Sequence, residues 1–408
     1  MKKIRIVIYL IFFGVVLLNL TACQNEIDNN EPFKVTFVDY DGNILKEVNC
    51  DGVSECNITP PQSPENIGQR YFTRWSVWES DFDEINEDTI IKPIYTLDNR
   101  LVTIFGRPIF FYSFFIMTGI FVALGLGLRE TKRIGIKKDD LIDGFLWIVP
   151  ISIIGARMWY VIFELEQFVG GGFFPSLLRI IGFSSGTLDF SSFGLSGLAI
   201  HGAFFTAVIC TYFYTRKRKI DLFKVFDIIA VGFIIAQAFG RWGNFFNQEA
   251  HGGIVGGAVN GTMNLSLEQQ FNYLRYTIHI PEFIVNNMYI KEGLHSYAVE
   301  PFTGYYHPTF FYESTLNILG FIIMLVLRRY KKIHFGELLS FYLIWYGGVR
   351  IFIESMRTDP LVFEIFGMTL KSATVTSTLM ILGGIALSVF VRIKRKGMDY
   401  STVEGNWF

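Results

Sequence analysis

Apolar and polar positions along the chain follow three regimes. Residues 6–18 form an almost unbroken apolar run behind Lys2, Lys3 and Arg5. Residues 24–98 are mixed, and "KVTFVDYDGNILKEV" alternates sides around Asp41-Gly42. That period predicts strands, with Asp-Gly as the hairpin turn; "YFTRWSV" and "TIIKPIYT" supply further strands. From Pro108 onward, seven apolar segments lie near 108–128, 142–163, 194–214, 222–240, 309–327, 336–353 and 374–391. Each approaches the ~20 residues that a helix needs to cross a bilayer's hydrocarbon. The pattern predicts an all-α polytopic membrane protein with seven transmembrane helices, preceded by a small exported β-rich module.

The first run is too short for an ordinary span and has the basic-then-apolar order of a signal peptide. Its end, Leu20-Thr21-Ala22-Cys23, resembles a lipobox, where bacterial lipoproteins are lipidated on cysteine and then cleaved. The expected organisation is a signal peptide over 1–22, an exported module over 23–98 and a membrane domain over 99–408. The strand order of the module resembles the short β-rich repeats of bacterial surface proteins, of the internalin kind. Arg74 stands where those repeats usually have Gly before Trp, and the module shows no catalytic constellation.

Composition agrees with a membrane class. The 408 residues are 51% hydrophobic and 18% charged, with 42 Phe, against roughly 25% charged for soluble proteins. The net charge of −1 hides an asymmetry, because residues 24–98 hold 16 acidic and 5 basic side chains. Basic residues elsewhere sit in short clusters between apolar segments, so nothing predicts nucleic-acid binding. The four cysteines have no zinc spacing, and Cys50 and Cys56 are placed to pair if their region is exported. "RETKRIGIKK", "RKRK", "RRYKK" and "RIKRK" hold 17 Lys/Arg, whereas the alternate loops 164–193, 241–308 and 354–373 hold six. By the positive-inside bias the first group is cytoplasmic, which puts the module outside and the C-terminus inside.

Ionisable groups inside apolar spans cost several kcal/mol (about 2.5–3.5 at mid-helix), so they mark function by default. Here they are Asp143, Arg157, His201, Asp227, Glu313, Arg350 and Glu354, most of them near the outer ends of their segments. "FGRWGNFFNQEAHGG" adds Arg241, Asn244, Asn247 and Glu249 where the fourth segment leaves the hydrocarbon. Several arginines and few carboxylates at one depth make a site for an anion.

Residues 101–396 resemble the prolipoprotein diacylglyceryl transferase family, seven-span bacterial membrane enzymes. "GRWGNFFNQEAHGG" is similar to the family's G-R-x-G-N-F-x-N-x-E-x-x-G and aligns Arg241, Asn244, Asn247, Glu249 and Gly252. "GLAIHG" aligns His201, and "HPTFFYES" aligns His307, Tyr312 and Glu313. "YGGVRIFIESMRTDP" aligns Arg350, Glu354 and Arg357, while "GARMWYVIFE" covers Arg157. The first-span W-Y-G becomes Phe111-Tyr112-Ser113, which aligns Tyr112, and Val231 replaces a usual proline in the fourth segment.

The resemblance implies transfer of a diacylglyceryl group from phosphatidylglycerol to the thiol of a lipobox cysteine. Partners are then phosphatidylglycerol, prolipoprotein signal peptides and the bilayer, with no cofactor or metal. The departing phosphate needs its charge stabilised, and the thiol must lose a proton. Arg241 and Arg350 are expected on the phosphate, with Arg157 and Arg357 as supporting charges and Asn244 and Asn247 as donors. Glu249 and Glu354 orient the arginines. His201 is the candidate base, since imidazole titrates near neutrality; a substrate thiolate formed beside the arginines would make a base unnecessary. A transporter would want broken helices at mid-bilayer and internal repeats, and neither is visible.

Overall fold

The computed structural model of the chain describes residues 32–52, 56–68, 70–104, 106–188, 197–293, 302–330, 332–357, 362–365, 368–395 and 400. The signal segment and Cys23 lie outside the described residues. The chain divides into one unit ending at Thr96 and another beginning at Leu97.

In the first unit the Asp-Gly hairpin is present. Strands β1 (Phe33–Val38) and β2 (Ile44–Cys50) pair antiparallel from Phe33↔Cys50 to Val38↔Ile44. The turn closes on Asp39, whose carboxylate accepts from the backbone N–H of Asp41 and Asn43 at 2.9 and 2.8 Å. The Asn43 side chain and then these N–H groups hold the Asp39 carboxyl below its ordinary range. Gly42 takes φ +90 there, a conformation that needs no Cβ. Strand β3 (Phe72–Trp75) pairs with β5 (Pro93–Tyr95), while β4 (Thr89–Ile91) runs parallel to β1. Inward positions Val35, Phe37, Trp75 and Ile91 form the core, with Phe37 and Trp75 edge to face at 5.1 Å. Cys50 and Cys56 are disulfide-bonded.

The second unit opens with a hairpin, β6 (Arg100–Ile104) and β7 (Arg107–Phe110). Seven helices of 19 or more residues follow among the described residues: α1 (Phe111–Ile134), α2 (Lys138–Phe163), α3 (Ile200–Arg218), α4 (Leu222–Phe246), α5 (Thr309–Leu327), α6 (Glu337–Met356) and α7 (Ser372–Lys394). Five, namely α1, α2, α4, α5 and α7, are long and apolar enough to cross a membrane. Helices α3 and α6 do not qualify. Helix α3 begins only at Ile200, later than the apolar run at 194 predicts, and ends in Arg216-Lys217-Arg218. Helix α6 is diluted by Gly347, Gly348, Arg350 and Glu354.

Small residues let the helices approach closely, as expected where lipid removes the hydrophobic drive between them. A Cβ on Gly119 of α1 would lie 3.1 Å from the backbone of Ala236 in α4; one on Gly232 would lie 3.0 Å from Ala123. Gly347 of α6 packs on Ile381 of α7, and Gly202 of α3 on Gly155 and Trp159 of α2. The basic loops gather at one end of the bundle. There Arg133 donates to the Arg328 carbonyl at 2.7 Å, Lys224 to the Ile134 carbonyl at 2.8 Å, and Arg218 pairs with Asp140 at 3.0 Å. Asp227, 1% exposed, accepts from the N–H groups of Gly336 and Leu339 at 2.9 and 3.0 Å. It caps α6 from α4, satisfying donors that the first turn of a helix leaves orphaned. The sequence marks Asp227 as a functional candidate; the structure gives it a structural role.

Candidate active site

The opposite end of the bundle is built around the last turns of α4. Arg241 and Asn244, three residues apart, share a helix face, and Arg241 donates to Asn244 Oδ1 at 3.3 Å. The amide groups of Asn244 and Asn247 both donate to Glu249 Oε1, at 2.9 and 3.2 Å. Glu249 can fold back because Gln248 and Ala250 hold positive φ, 54 and 55. Non-glycine residues there cost about 1–3 kcal/mol each unless the surroundings enforce them. The enforcement is visible: buried Gln248 donates to the carbonyls of Asn287 and Tyr289 at 2.8 and 3.1 Å, and Thr309 donates to the Ala250 carbonyl.

Beyond this loop, Gly252 and Gly253 thread between two other segments. Gly252 N–H donates to the His307 carbonyl at 2.8 Å, His307 N–H to the Gly253 carbonyl at 3.0 Å, and Gly253 N–H to the Met356 carbonyl at 3.0 Å. Gly252 also forms a β-bridge with Arg357. A Cβ at Gly252 would come within 2.9 Å of His307 Cβ and 3.2 Å of the Met356 carbonyl, so glycine is required by space. One loop thereby fixes the ends of α4, α5 and α6 relative to one another.

Glu313 of α5 joins the two principal arginines. Its Oε1 lies 2.8 Å from Arg241 Nη2 and its Oε2 3.7 Å from Arg350 Nη1. Arg350 also pairs with Glu354, one turn on, at 3.0 Å. The two carboxylate side chains are 1% and 3% exposed, and the two arginines 19% each. The acids are therefore buried beside arginine side chains that are themselves only partly exposed. Such an arrangement presents two planar cations to an incoming anion while the buried carboxylates fix their orientation. Tyr346, one turn before Arg350, engages Arg241 as well.

Other candidates surround this cluster unequally. Tyr112 packs directly on Gly243 and lies within electrostatic reach of Arg241 and Glu249. His307 Nδ1 is 3.4 Å from the Tyr312 hydroxyl. Both line a cavity of about 500 Å³ with Tyr273, Phe311, Phe352 and Met356, and burial pushes the His307 imidazole below its usual range. Arg157 is packed instead against Phe168, Arg179, Ile180 and Gly197. It donates to the carbonyls of Arg179, Ile180 and Gly197 at 2.8, 3.0 and 3.3 Å and lies over the Phe168 ring. His201 is exposed in the first turn of α3, and among the described residues no hydrogen bond joins it to the arginine cluster. Among the described residues no group of three or more His, Cys, Asp or Glu is placed to hold a metal.

Sequence reasoning passed over Tyr346 and the pair Gln248–Asn287. Tyr346 opens the very stretch that contains Arg350 and sits at the i−4 position of the same face, a signal that helical spacing supplies. Asn287, fully buried, donates to the Phe245 carbonyl at 2.9 Å. It comes from a short helix, Glu282–Asn287, 42 residues away, and no local pattern announces it.

Apolar helices closing on two carboxylate-backed arginines define a multi-pass membrane protein with a buried cluster of arginines and carboxylates at one end. Residues 99–390 match the sequence model of the prolipoprotein diacylglyceryl transferase family, and the chain belongs to that family. It is similar to the phosphatidylglycerol–prolipoprotein diacylglyceryl transferase of Listeria innocua, 38% identical over 301 residues, covering 74% of this chain and 92% of that protein. The Bacillus cereus protein of the same name is 39% identical over 308 residues, covering 75% of this chain and 96% of its own length. The Listeria monocytogenes protein of that name is 37% identical over 301 residues, with coverage of 74% and 92%. Residues 1–98 lie outside the family match.

Proposed function

We propose that this bacterial membrane enzyme moves the diacylglyceryl group of phosphatidylglycerol onto the lipobox cysteine of prolipoproteins, with the Arg241–Glu313–Arg350 cluster as its phosphate site. The observation that carries this reading is the pair of partly exposed arginine side chains held against one buried carboxylate. In the reaction the cysteine sulfur attacks the glycerol carbon, a thioether forms, and the C–O bond to phosphate breaks. The electron pair leaves with glycerol phosphate, whose negative charge grows as the bond breaks. Arg241 and Arg350 meet that growing charge with fixed, charge-assisted donors that need no reorganisation. Asn244 and Asn247, oriented by Glu249, face the same headgroup, and Glu354 steadies Arg350.

His201, exposed in the first turn of α3, is the base for the thiol proton in this reading. Arg157 supports the site through the backbone at Arg179, Ile180 and Gly197 rather than by touching phosphate. His307 and Tyr312 line an apolar cavity suited to one acyl chain or to the signal peptide's apolar stretch. All seven long helices cross the membrane: α6 is diluted by Arg350 and Glu354 of the cluster, and α3 by the basic residues that end it, Arg216, Lys217 and Arg218. The cluster then lies at the outer headgroup level and the basic loops face the cytoplasm.

The test is a synthetic lipobox peptide incubated with phosphatidylglycerol and membranes containing the protein. A mass gain of one diacylglyceryl unit, lost in Arg241→Ala and in Arg350→Ala, supports the reading. Uptake of peptide or lipid without a mass gain would replace it with transport.

A further inference from the structure

Asn287 holds three segments at the arginine end of the bundle with one side chain and its own carbonyl. It is the last residue of the short helix Glu282–Asn287 and is fully buried. Its Oδ1 accepts from the Leu97 N–H at 2.8 Å, and its Nδ2 donates to the Phe245 carbonyl at 2.9 Å. These partners fix which way the amide points, because a backbone N–H only donates and a carbonyl only accepts. The Asn287 carbonyl in turn accepts from the Gln248 side chain at 2.8 Å. Phe245 lies in the last turn of α4, whose carbonyls have no partner further along the helix. Its carbonyl takes the Gln248 N–H at 3.1 Å and the Asn287 amide as its two donors. The Phe245 ring, 1% exposed, is stacked on Phe310 of α5 at 4.6 Å and meets Phe283 of the short helix edge to face at 6.3 Å. The short helix thus grips Phe245 by both backbone and ring. Arg241 stands one turn before Phe245, and Asn244 is its neighbour in the chain. Leu97 opens the second unit, two residues ahead of the family match.

We propose that Asn287 is a positioning residue for the transfer reaction: through Phe245 it sets the last turn of α4, and with that turn Arg241 and Asn244. The inference rests on the transferase reading and adds to it a residue that acts through α4 rather than on the substrate. Its force comes from where the tie is made. Arg241 is steadied from one side by Glu313 of α5, a side-chain contact that follows the guanidinium wherever the helix carries it. The backbone beneath it is fixed at Phe245, and there the Asn287 amide is the one side-chain donor among the described residues. Without that amide, the Leu97 N–H and one lone pair of the Phe245 carbonyl are buried and unpaired. Such groups are costly, so the segments shift until they find other partners. That shift falls on the turn that carries Arg241. A guanidinium that must meet a developing charge in a fixed geometry tolerates little movement, and a displacement of about 1 Å costs about 10²-fold in rate. The same amide fixes Leu97, so the chain enters the second unit pinned to the end of α4.

The experiment uses the full chain and the lipobox peptide assay, with an unfolding midpoint measured on each preparation. Asn287→Ala removes both side-chain bonds. Asn287→Asp keeps an acceptor for Leu97 but loses the donor to Phe245, and it carries the test should Asn287→Ala not fold. Both are expected to lower kcat by about 10²-fold while KM for the peptide stays within about threefold of the parent. Each is then combined with Arg241→Lys. Because Asn287 acts through Arg241, the double variants should transfer about as slowly as Arg241→Lys alone. Losses that multiply would mark a merely structural residue and overturn the proposal, as would parent-like kcat in a folded Asn287→Asp chain. Binding gives a second readout that needs no turnover. Glycerol phosphate should raise the parent's unfolding midpoint, and the rise should be lost in Asn287→Asp. An equal rise in that variant would overturn the proposal. A parent that never modifies the peptide would sink the transferase reading instead, and the glycerol phosphate measurement would then decide the role of Asn287 by itself.

Discussion

Glu313 carries more of the site than its place in "HPTFFYES" suggests. As a sequence position it is one polar residue among several at the start of an apolar segment; in the fold its carboxylate pairs with both Arg241 and Arg350. Removing one member of a buried charge group leaves the others uncompensated, at about 3–5 kcal/mol. Glu313→Gln is therefore expected to lower the thermal midpoint in detergent together with kcat. Arg241→Lys keeps the charge but loses the planar fork, so its midpoint should stay near the parent's while transfer falls by at least ~100-fold. Parent-like transfer in that variant would show that a plain positive field is sufficient. For His201 the discriminating measurement is rate against pH. If it takes the thiol proton, the parent's rate rises through a pKa near neutrality and a partly active His201→Asn variant loses that rise. A variant that keeps the rise would move proton transfer to another group.

Elements, more than single residues, explain why the cluster is assembled where it is. The loop from Asn247 to Gly253 ties α4, α5 and α6 through Gly252, His307 and Met356. Gly252→Ala adds a Cβ 2.9 Å from His307 Cβ and 3.2 Å from a backbone carbonyl, so one strand of that bridge must shift. The expected outcome is a large loss of kcat with a small change in unfolding midpoint, read from transfer assays and melts on one preparation. His307 gives the same region a pH response. Its imidazole is held below the usual value of about 6.5 by burial, so the unfolded chain binds a proton that the folded chain resists. Stability from this group is present above that value and declines as pH falls through it. Melts between pH 5 and 8 should show a decline that His307→Gln removes; an identical slope in the variant would assign the response elsewhere. The motifs themselves were legible in sequence because each is local. Arg241 with Asn244, and Arg350 with Glu354, follow helical spacing. The partners of Arg157 were not, because backbone carbonyls at 179, 180 and 197 leave no mark on side-chain pattern. Asp227 misled for a related reason: an acid in an apolar helix reads as function until the helix it caps, 109 residues away, is known.

Across the whole molecule, the two ends of the bundle differ in kind, and that difference is what the sequence conveyed best. The hairpin at Asp41-Gly42 and the apolar segments were readable from period alone, since alternation and length are set by strand and bilayer geometry. The number of segments that qualify as spans was harder to read, because α6 gives up apolar positions to Arg350 and Glu354, residues of the site itself. The end holding Arg133, Lys224 and Arg218 is strongly basic, while the end holding Arg241 and Arg350 places its arginines against carboxylates. With 17 Lys/Arg in the four basic loops and six in the alternate ones, insertion should retain the basic end in the cytoplasm. The consequence can be measured with two introduced thiols. Val259 is 59% exposed in the loop beyond the arginine cluster, and Lys217 is exposed in the last turn of α3 at the basic end. In intact cells, a membrane-impermeant maleimide should modify Val259→Cys and spare Lys217→Cys, with each site read on its own peptide by mass spectrometry; permeabilised cells should label both. Protection of Val259→Cys with labelling of Lys217→Cys would turn the molecule over. A site facing the cytoplasm could not meet the exported cysteines on which the proposed chemistry depends.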